Sequence, residues 1–203
     1  MMLTFRLCLI LFIIGLVNGC STKSITNVQT TQTVDERTQQ LLQLNDWQLT
    51  GKIAFIQSSK RESASLSWHY NDTDNSQELD LNSYLGINVL HLTSNNNLHT
   101  IEVDGKTYKS RNLDQLITSL TGFNLPTKAL VYWLKGLPFS ANDKIQYHDD
   151  TQLPVSLTSE YNNQLWQINY ANYQPNNGVQ LASSFTLKQH DLLIKISIKK
   201  WTF

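Results

Sequence analysis

The feature that most constrains this sequence is the alternation of apolar and polar residues in many short segments after residue 46. In residues 63–70 the alternation is clean, and one face of a strand would collect Ala64, Leu66, Trp68 and Tyr70. Serines and His69 would occupy the other face. A strand with one apolar face is typical of an antiparallel sheet that covers a core on one side and meets water on the other. The pattern therefore argues against parallel βαβ units.

Similar segments recur along the chain and predict about nine to eleven short strands. The clearest cover residues 52–56, 63–70, 78–81, 89–93, 99–103, 106–108, 155–158, 165–170, 184–188 and 192–199. Asp104-Gly105 is a typical hairpin turn between two of them. Because open strand edges promote aggregation, so many antiparallel strands in one domain favour a barrel or a strongly curled sheet.

Three segments carry helical signals. A Thr-x-x-Glu capping box at residues 33–36 predicts a helix over about residues 34–46. Residues 112–122 predict a second helix, with a capping asparagine before an apolar stripe at helical spacing and a glycine at the end. Residues 127–135 predict a third helix, which Gly136 ends. The second and third helices interrupt the strands midway along the chain.

The first twenty residues resemble a bacterial export signal. Arg6 precedes an apolar run over residues 7–17, which at about 11 residues is short for a bilayer span of about 20. The alternative for this run is a short N-terminal membrane anchor. Residues 17–20, Val-Asn-Gly-Cys, resemble the lipobox, whose cysteine is acylated and becomes the first residue of the mature chain. Ser21 follows, and in the best-known bacterial sorting rule it implies transport to the outer membrane.

These signals divide the chain into three parts. Residues 1–19 are predicted to be a lipoprotein signal peptide, and residues 20–32 a lipidated Cys20 with a flexible tether rich in Ser, Thr, Asn and Gln. Residues 33–203 are predicted to form a single domain. Cys8 would leave with the signal peptide and Cys20 would carry lipid, so the mature chain should have neither a disulfide nor a cysteine metal site.

Composition and motifs argue against several function classes. Sixteen basic residues balance sixteen acidic ones, so the chain lacks the basic surplus of a sequence-independent nucleic-acid binder. None of the five histidines has metal-ligand spacing, and residues 72–83 lack the glycine and the glutamate of a calcium loop. No phosphate-binding, dinucleotide-binding or nucleophile-elbow motif is present. We therefore predict no catalytic residue, no metal site, no cofactor and no enzymatic activity.

Several short motifs follow one another along nearly the whole mature chain. They are residues 47–55 (WQLTGKIAF), 64–68 (ASLSW), 84–86 (YLG), 120–122 (LTG) with 125–126 (LP), 133–138 (WLKGLP), 166–170 (WQINY) with Tyr173, and 194–196 (IKI) with Trp201. No single motif is specific, but their order behind a lipobox resembles the LolB family of outer-membrane lipoprotein receptors.

The resemblance implies an incomplete antiparallel β-barrel of about 11 strands, with a helical lid over an apolar cavity. It implies a lipid-anchored monomer that faces the periplasm. Such a receptor accepts lipoproteins from the soluble carrier LolA through their acyl chains and inserts them into the inner leaflet of the outer membrane, without nucleotide hydrolysis. LolA, client lipoproteins and outer-membrane lipid are therefore the expected partners.

The resemblance also implies site residues. In the family a protruding loop exposes a leucine that delivers the client to the membrane, and this leucine corresponds to Leu85, flanked by Tyr84 and Gly86. Tyr84 stands where family members commonly have proline. The candidate residues for the acyl-chain cavity are Leu66, Trp68, Leu79, Leu81, Trp133 and Trp166. Each of these six could instead be an ordinary core residue.

The residues leave two other functions open. A tethered, lipocalin-like barrel could bind a small apolar ligand and ignore the carrier. A lipoprotein with a filled core could be a structural part of an envelope assembly. A co-purified apolar ligand would favour the first, and a core that excludes apolar dyes would favour the second.

Overall fold

The computed structural model describes residues 32–58, 60–123 and 125–203. The predicted signal peptide, Cys20 and the tether up to residue 31 lie outside the described residues. The described part forms one compact unit. None of its helices combines the length and the apolar character needed to cross a bilayer.

Eleven antiparallel strands form one sheet, which confirms the predicted mainly β fold with inserted helices. The strands are β1 (Asp46–Gln57), β2 (Lys60–Asn71), β3 (Ser76–Asn82), β4 (Asn88–Asn95), β5 (Leu98–Val103), β6 (Lys106–Ser110), β7 (Lys144–Tyr147), β8 (Pro154–Tyr161), β9 (Gln164–Asn176), β10 (Val179–Gln189) and β11 (Leu192–Thr202). Their order is β6-β5-β4-β3-β2-β1-β11-β10-β9-β8-β7. The sheet is an unclosed barrel whose edges are β6 and β7.

The pairing of β1 with β11 joins the first and last strands in the middle of the sheet. The register shifts between Thr50 and Gly51, and a Cβ added at Gly51 would overlap the carbonyl oxygen of Ser197 on β11. Glycine is therefore required where the two strands approach most closely. On β11 the predicted alternation is confirmed, because Ile194, Ile196 and Ile198 are buried while Lys195, Ser197 and Lys199 are exposed.

Several strand predictions differ from the structure. β7 was not predicted, because four residues of a polar edge strand give too short an alternation to recognise. β10 begins at Val179, before the predicted residue 184, and β9 extends past the predicted residue 170 into sequence that contains Asn and Gln. These polar residues remain in the sheet because backbone hydrogen bonds to the neighbouring strand do not depend on side-chain polarity.

The helices are α1 (Val34–Leu42), α2 (Leu113–Thr121) and α3 (Thr127–Trp133). The capping box of α1 is confirmed, since the Glu36 amide donates to Thr33 Oγ1 at 3.2 Å and the Thr33 amide donates to Glu36 Oε2 at 2.9 Å. α1 is shorter than predicted because β1 begins pairing with β2 at Asp46. α3 ends before the predicted residue 135, and a turn with Gly136 at a φ of 70° follows it.

The buried side chains of Arg37 and Lys135 link α1 to the segment after α3 through hydrogen bonds. Arg37 Nη2 donates to the Lys135 carbonyl at 2.9 Å, and Arg37 Nε donates to the Gln180 carbonyl at 3.3 Å. Lys135 Nζ donates to the carbonyls of Leu41 at 3.2 Å and Leu44 at 3.3 Å, at the end of α1 where the helix dipole favours a cation. Arg37 thus hydrogen-bonds to the backbone of Lys135, and Lys135 hydrogen-bonds to the backbone at the end of α1, the helix that carries Arg37.

The core has two parts. The larger lies between the inner faces of β1, β2 and β8–β11 and the apolar sides of α1 and α3. Its centre contains an aromatic group in which the ring of Trp47 lies 5.2 Å from Trp68 and 5.4 Å from Trp201. The smaller part lies between β4, β5 and α2, with Leu92, Ile101 and Leu116 among its buried residues. α2 and α3 connect the two edge strands, so they cover the concave side of the open sheet.

Candidate apolar cavity and exposed loop

A cavity of about 330 Å³ lies between the first half of the sheet and the two lid helices, α2 and α3. Its walls are almost entirely apolar. The sheet contributes Ile53, Phe55, Leu66, Trp68, Leu79, Leu81, Val89, Leu90, Leu92, Val103 and Ile196. The lid side contributes Leu113, Ile117, Leu120, Phe123, Leu125, Leu130 and Leu134. A space of this size and character suits an apolar chain or a small apolar molecule.

Four of the six residues predicted to form the cavity lie in its wall. Leu66 and Trp68 come from β2, and Leu79 and Leu81 come from β3, directly opposite them in register. Side chains at alternate positions on paired strands share a face, so one apolar pattern brings all four together.

Trp133 and Trp166 are not among the lining residues. Both are almost fully buried in the larger core, where their rings lie 6.0 Å apart. The turn of α3 explains this placement, because Leu130 and Leu134 are four residues apart and line the cavity, while Trp133 lies to one side of them. Alternation and helical spacing show that a residue faces inward, but they do not show which part of the interior it meets.

The lid residues of the cavity were missed as site residues. Leu113, Ile117, Leu120, Leu130 and Leu134 were recognised only as apolar stripes of two helices. A stripe of this kind is the same whether a helix covers a filled core or an open cavity. Whether the helix covers a filled core or a cavity depends on the curvature of the sheet beneath it. The sequence of the helix alone does not contain that information.

Trp68 combines an apolar ring with a polar edge. Its ring lines the cavity, and its Nε1 donates to Gln77 Oε1 at 3.1 Å. The polar exceptions in the wall are Glu62, Gln77, Thr121 and Thr127. The cavity therefore has a polar margin at the beginning of β3.

The β3–β4 loop projects from the other end of β3. Its base is closed by hydrogen bonds from the Ser83 amide to the Ile87 carbonyl at 2.8 Å and from the Gly86 amide to the Ser83 carbonyl at 2.9 Å. Gly86 has a φ of 78°, which glycine adopts readily. The turn leaves Tyr84 99% exposed and Leu85 80% exposed. Large apolar side chains this exposed at a tip are typical of a contact surface for a membrane or a partner.

A β-bulge connects the loop with the cavity. Leu81 pairs with Leu90 and Asn82 pairs with Asn88, so Val89 is the extra residue on β4. A bulge redirects side chains, and here both Val89 and Leu90 line the cavity although they are adjacent in sequence. Val89 is 41% exposed and Ile87 is 64% exposed, so apolar surface continues from the cavity to the loop tip.

Asp114 holds the lid to the opposite part of the sheet. Its Oδ2 accepts from Tyr161 OH at 2.7 Å, and its Oδ1 accepts from the Thr127 hydroxyl. Asn162 Nδ2 also donates to Oδ2, at 3.3 Å. Burial, followed by the hydrogen bond to Asp114, raises the pKa of Tyr161. One carboxylate therefore joins α2, α3 and the β8–β9 hairpin.

One group of possible metal ligands lies outside the cavity. The ligand atoms of Glu78, Asp80 and His91 lie within 4.8 Å of one another, and His91 Nδ1 is 2.8 Å from Asp80 Oδ1. The sequence did not reveal this group because it forms only when β3 pairs with β4. It lies on the outer face of the sheet with Glu78 exposed, where carboxylates commonly occur without a metal ion.

Comparison with known proteins gives a consistent result. A family model described as "Outer membrane lipoprotein LolB" matches residues 45–201. A relative named outer-membrane lipoprotein LolB from Psychromonas ingrahamii is 34% identical over 202 residues, which cover 98% of this chain and 96% of that protein. A relative of the same name from Shewanella sediminis is 32% identical over 192 residues, which cover 95% and 84% of the two chains.

A solved structure has a similar fold at much lower sequence identity. A LolA superfamily protein from Nitrosomonas europaea superposes with a TM-score of 0.56, over 85% of this chain and 93% of that chain. The sequences are 7% identical, so this likeness shows a shared fold and no more.

Proposed function

Because this chain belongs to the LolB family of outer-membrane lipoproteins, we propose that it accepts lipoproteins from the periplasmic carrier LolA and inserts them into the outer membrane. Acceptance occurs through the acyl chains of the client, and insertion is into the inner leaflet. Family membership means that the protein is an outer-membrane lipoprotein with a role in lipoprotein localisation. The proposal adds the carrier, the acyl-chain contact and the insertion step, none of which requires catalysis.

Anchoring is proposed to occur through Cys20. In this proposal the signal peptide, residues 1–19, is removed, Cys20 carries the lipid, and residues 20–32 connect it to the domain in the periplasm. Mass spectrometry of the mature N-terminus checks this step. An unmodified Cys20 thiol would contradict it.

One observation carries the proposal: an apolar cavity continues through Val89 and Ile87 to a projecting apolar tip at Tyr84 and Leu85. A plain ligand-binding barrel needs the cavity but has no use for such a tip. A structural lipoprotein with a filled core needs neither. A protein that passes acyl chains to a bilayer needs both.

The energetics explain why a receptor is required. Each acyl CH₂ that leaves an apolar environment costs about 0.8 kcal/mol, so an acylated protein does not cross water unaided. A receptor must therefore cover the chains with apolar surface before the carrier releases them. It must also bind them more tightly than the carrier, and each tenfold advantage requires about 1.4 kcal/mol.

The test is transfer of a client lipoprotein. A chain that begins at Ser21 is mixed with a carrier–client complex, and size-exclusion chromatography shows which protein holds the client. We expect one-way movement onto this chain. We also expect Leu79→Ser, which places a hydroxyl in the middle of the cavity wall, to reduce the amount transferred.

Glu78→Ser provides the matched control, because Glu78 neighbours Leu79 but faces away from the cavity. This variant should accept the client normally. If a folded wild-type chain takes no client, the carrier step is wrong. Co-purification of a small apolar ligand would then favour the plain binding barrel.

A further inference from the structure

A second cavity, larger and more polar, adjoins the apolar one. It measures about 1110 Å³ and shares Gln77, Leu113 and Thr127 with the apolar cavity, so the two spaces have a common wall. We call this space the polar cleft. Its other walls include asparagines from the β2–β3, β4–β5 and β8–β9 turns, together with Arg111 and Lys128.

The polar cleft and the exposed loop lie at opposite ends of β3. Asn75, in the turn before β3, lines the polar cleft, and Gln77 near the beginning of β3 lines both cavities. Leu79 and Leu81 continue the apolar cavity, and the loop that carries Leu85 follows the end of the strand. Gln77 and Leu81 are about 13 Å apart at the usual rise of about 3.3 Å per residue. The apolar cavity therefore runs along β3 from the polar cleft toward the exposed loop.

The charges of the polar cleft favour an acidic or uncharged occupant. Among the described residues, neither Arg111 nor Lys128 forms an ion pair. The carboxylate of Asp114, also in the wall, accepts hydrogen bonds from Thr127, Tyr161 and Asn162. Burial, followed by the positive charge of Lys128, lowers the pKa of His99. With the Asp114 carboxylate also in the wall, the charged side chains that line the polar cleft carry a net charge of about +1.

A lipoprotein, like the two adjoining cavities, has an apolar part next to a polar part, and the two parts meet at its acylated cysteine. Its acyl chains are apolar, and the peptide that follows the cysteine carries an amide and a carbonyl at nearly every residue. Peptide groups placed in the apolar cavity would lose their hydrogen bonds to water without replacement. Asparagine side chains and open access to water can satisfy them in the polar cleft.

We infer that the polar cleft is a second subsite, which holds the peptide segment adjoining the client's acylated cysteine while the acyl chains occupy the apolar cavity. This inference rests on the proposed function and deepens it. It gives the client a direction: the methyl ends of the chains point toward Leu85, and the peptide stays at the opposite end of β3. The tails therefore meet the membrane first, and the polar part of the client need not pass through the apolar cavity.

The test compares clients that differ only in the residues after the acylated cysteine. One client has an acidic segment and the other a basic segment of equal length. Each is loaded on the carrier and mixed with vesicles that contain the full-length protein, and client left on the soluble carrier is measured after the vesicles are pelleted. At low salt we expect the acidic client to be accepted about threefold faster, the size expected for exposed ion pairs.

The double variant Arg111→Gln/Lys128→Gln should abolish this preference. Lys106→Gln/Lys109→Gln is the matched control, because it removes the same charge from exposed positions on β6 that do not line the polar cleft. This control should retain the preference. A preference that persists in the Arg111 and Lys128 variant, or its loss in the control, would overturn the subsite.

The same experiment separates the two proposals. If the wild-type protein accepts both clients at equal rates, the proposed function stands and the polar cleft is not a peptide subsite. If it accepts neither client, the proposed function fails, and the subsite fails with it.

Discussion

The substitution Leu85→Glu separates acceptance of a client from its insertion. Leu85 is 80% exposed, so only about a fifth of its side chain leaves water on folding. Full burial of a leucine is worth about 2 kcal/mol, so the substitution should lower the free energy of unfolding by only about 0.4 kcal/mol. For a domain of this size such a change lowers Tm by less than about 2 °C.

Leu85→Glu should weaken the association of the loop tip with a membrane far more than it weakens the fold. A leucine that enters the bilayer gains the same ~2 kcal/mol, and the charged glutamate cannot recover it. Since each 1.4 kcal/mol is a factor of ten, the tip should associate with lipid about 30-fold more weakly. If tip association precedes release of the client, insertion should slow by about this factor while acceptance from the carrier is unchanged.

The assay uses the chain that begins at Ser21, a client loaded from the carrier, and lipid vesicles. Client that has entered lipid sediments with the vesicles, and client held by the protein stays in solution. Leu165→Glu is the matched control, because Leu165 is 63% exposed on β9 and undergoes the same change of charge away from the loop. Insertion by Leu85→Glu within twofold of wild type, or equal slowing by Leu165→Glu, would refute the role of the tip.

Three further predictions concern stability. Arg37→Ala leaves the Lys135 and Gln180 carbonyls without their donor, which should cost about 3 kcal/mol and lower Tm by roughly 6–12 °C; calorimetry measures this, and the exposed Arg61→Ala should change little. Gly51→Ala forces a Cβ against β11 and should cost about 1–3 kcal/mol in urea unfolding, whereas unchanged stability would contradict the close β1–β11 approach. Burial raises the pKa values of five tyrosines, Tyr70, Tyr147, Tyr161, Tyr170 and Tyr173. The unfolded chain therefore loses these protons first as pH rises past about 10, so the free energy of unfolding should fall above that pH in denaturant titrations. Tyr170→Phe should weaken this decline, and an equal decline in the variant would count against it.

Local patterns predicted much of the fold. The capping box at Thr33 and Glu36 depends on contacts within one turn, and the burial of alternate residues in β11 depends only on the pleat of a strand. Such features need no knowledge of distant parts of the chain. The predicted ends of helices and strands were less accurate where pairing with a neighbouring strand decided them, as at the end of α1 and in the extensions of β9 and β10.

The candidate site was predictable only in part, for the same reason. Leu66, Trp68, Leu79 and Leu81 line the cavity because their strands pair face to face, as alternation implies. Trp133 also belongs to an apolar stripe in the sequence, but it is buried in the larger core and does not line the cavity. The family resemblance pointed to Leu85, and the structure shows that this residue is exposed at a tip. Its role in insertion stays a prediction.

The sequence alone determined which residues face inward and where the helices begin, because each of these depends on spacing between near neighbours. Only the tertiary structure decided which inward-facing residues meet a cavity and which meet a filled core. It also decided that Val89 joins the cavity to the loop and that Asp114 joins both lid helices to the β8–β9 hairpin. These outcomes depend on strand register and on the curl of the open sheet, which bring together residues far apart in the chain.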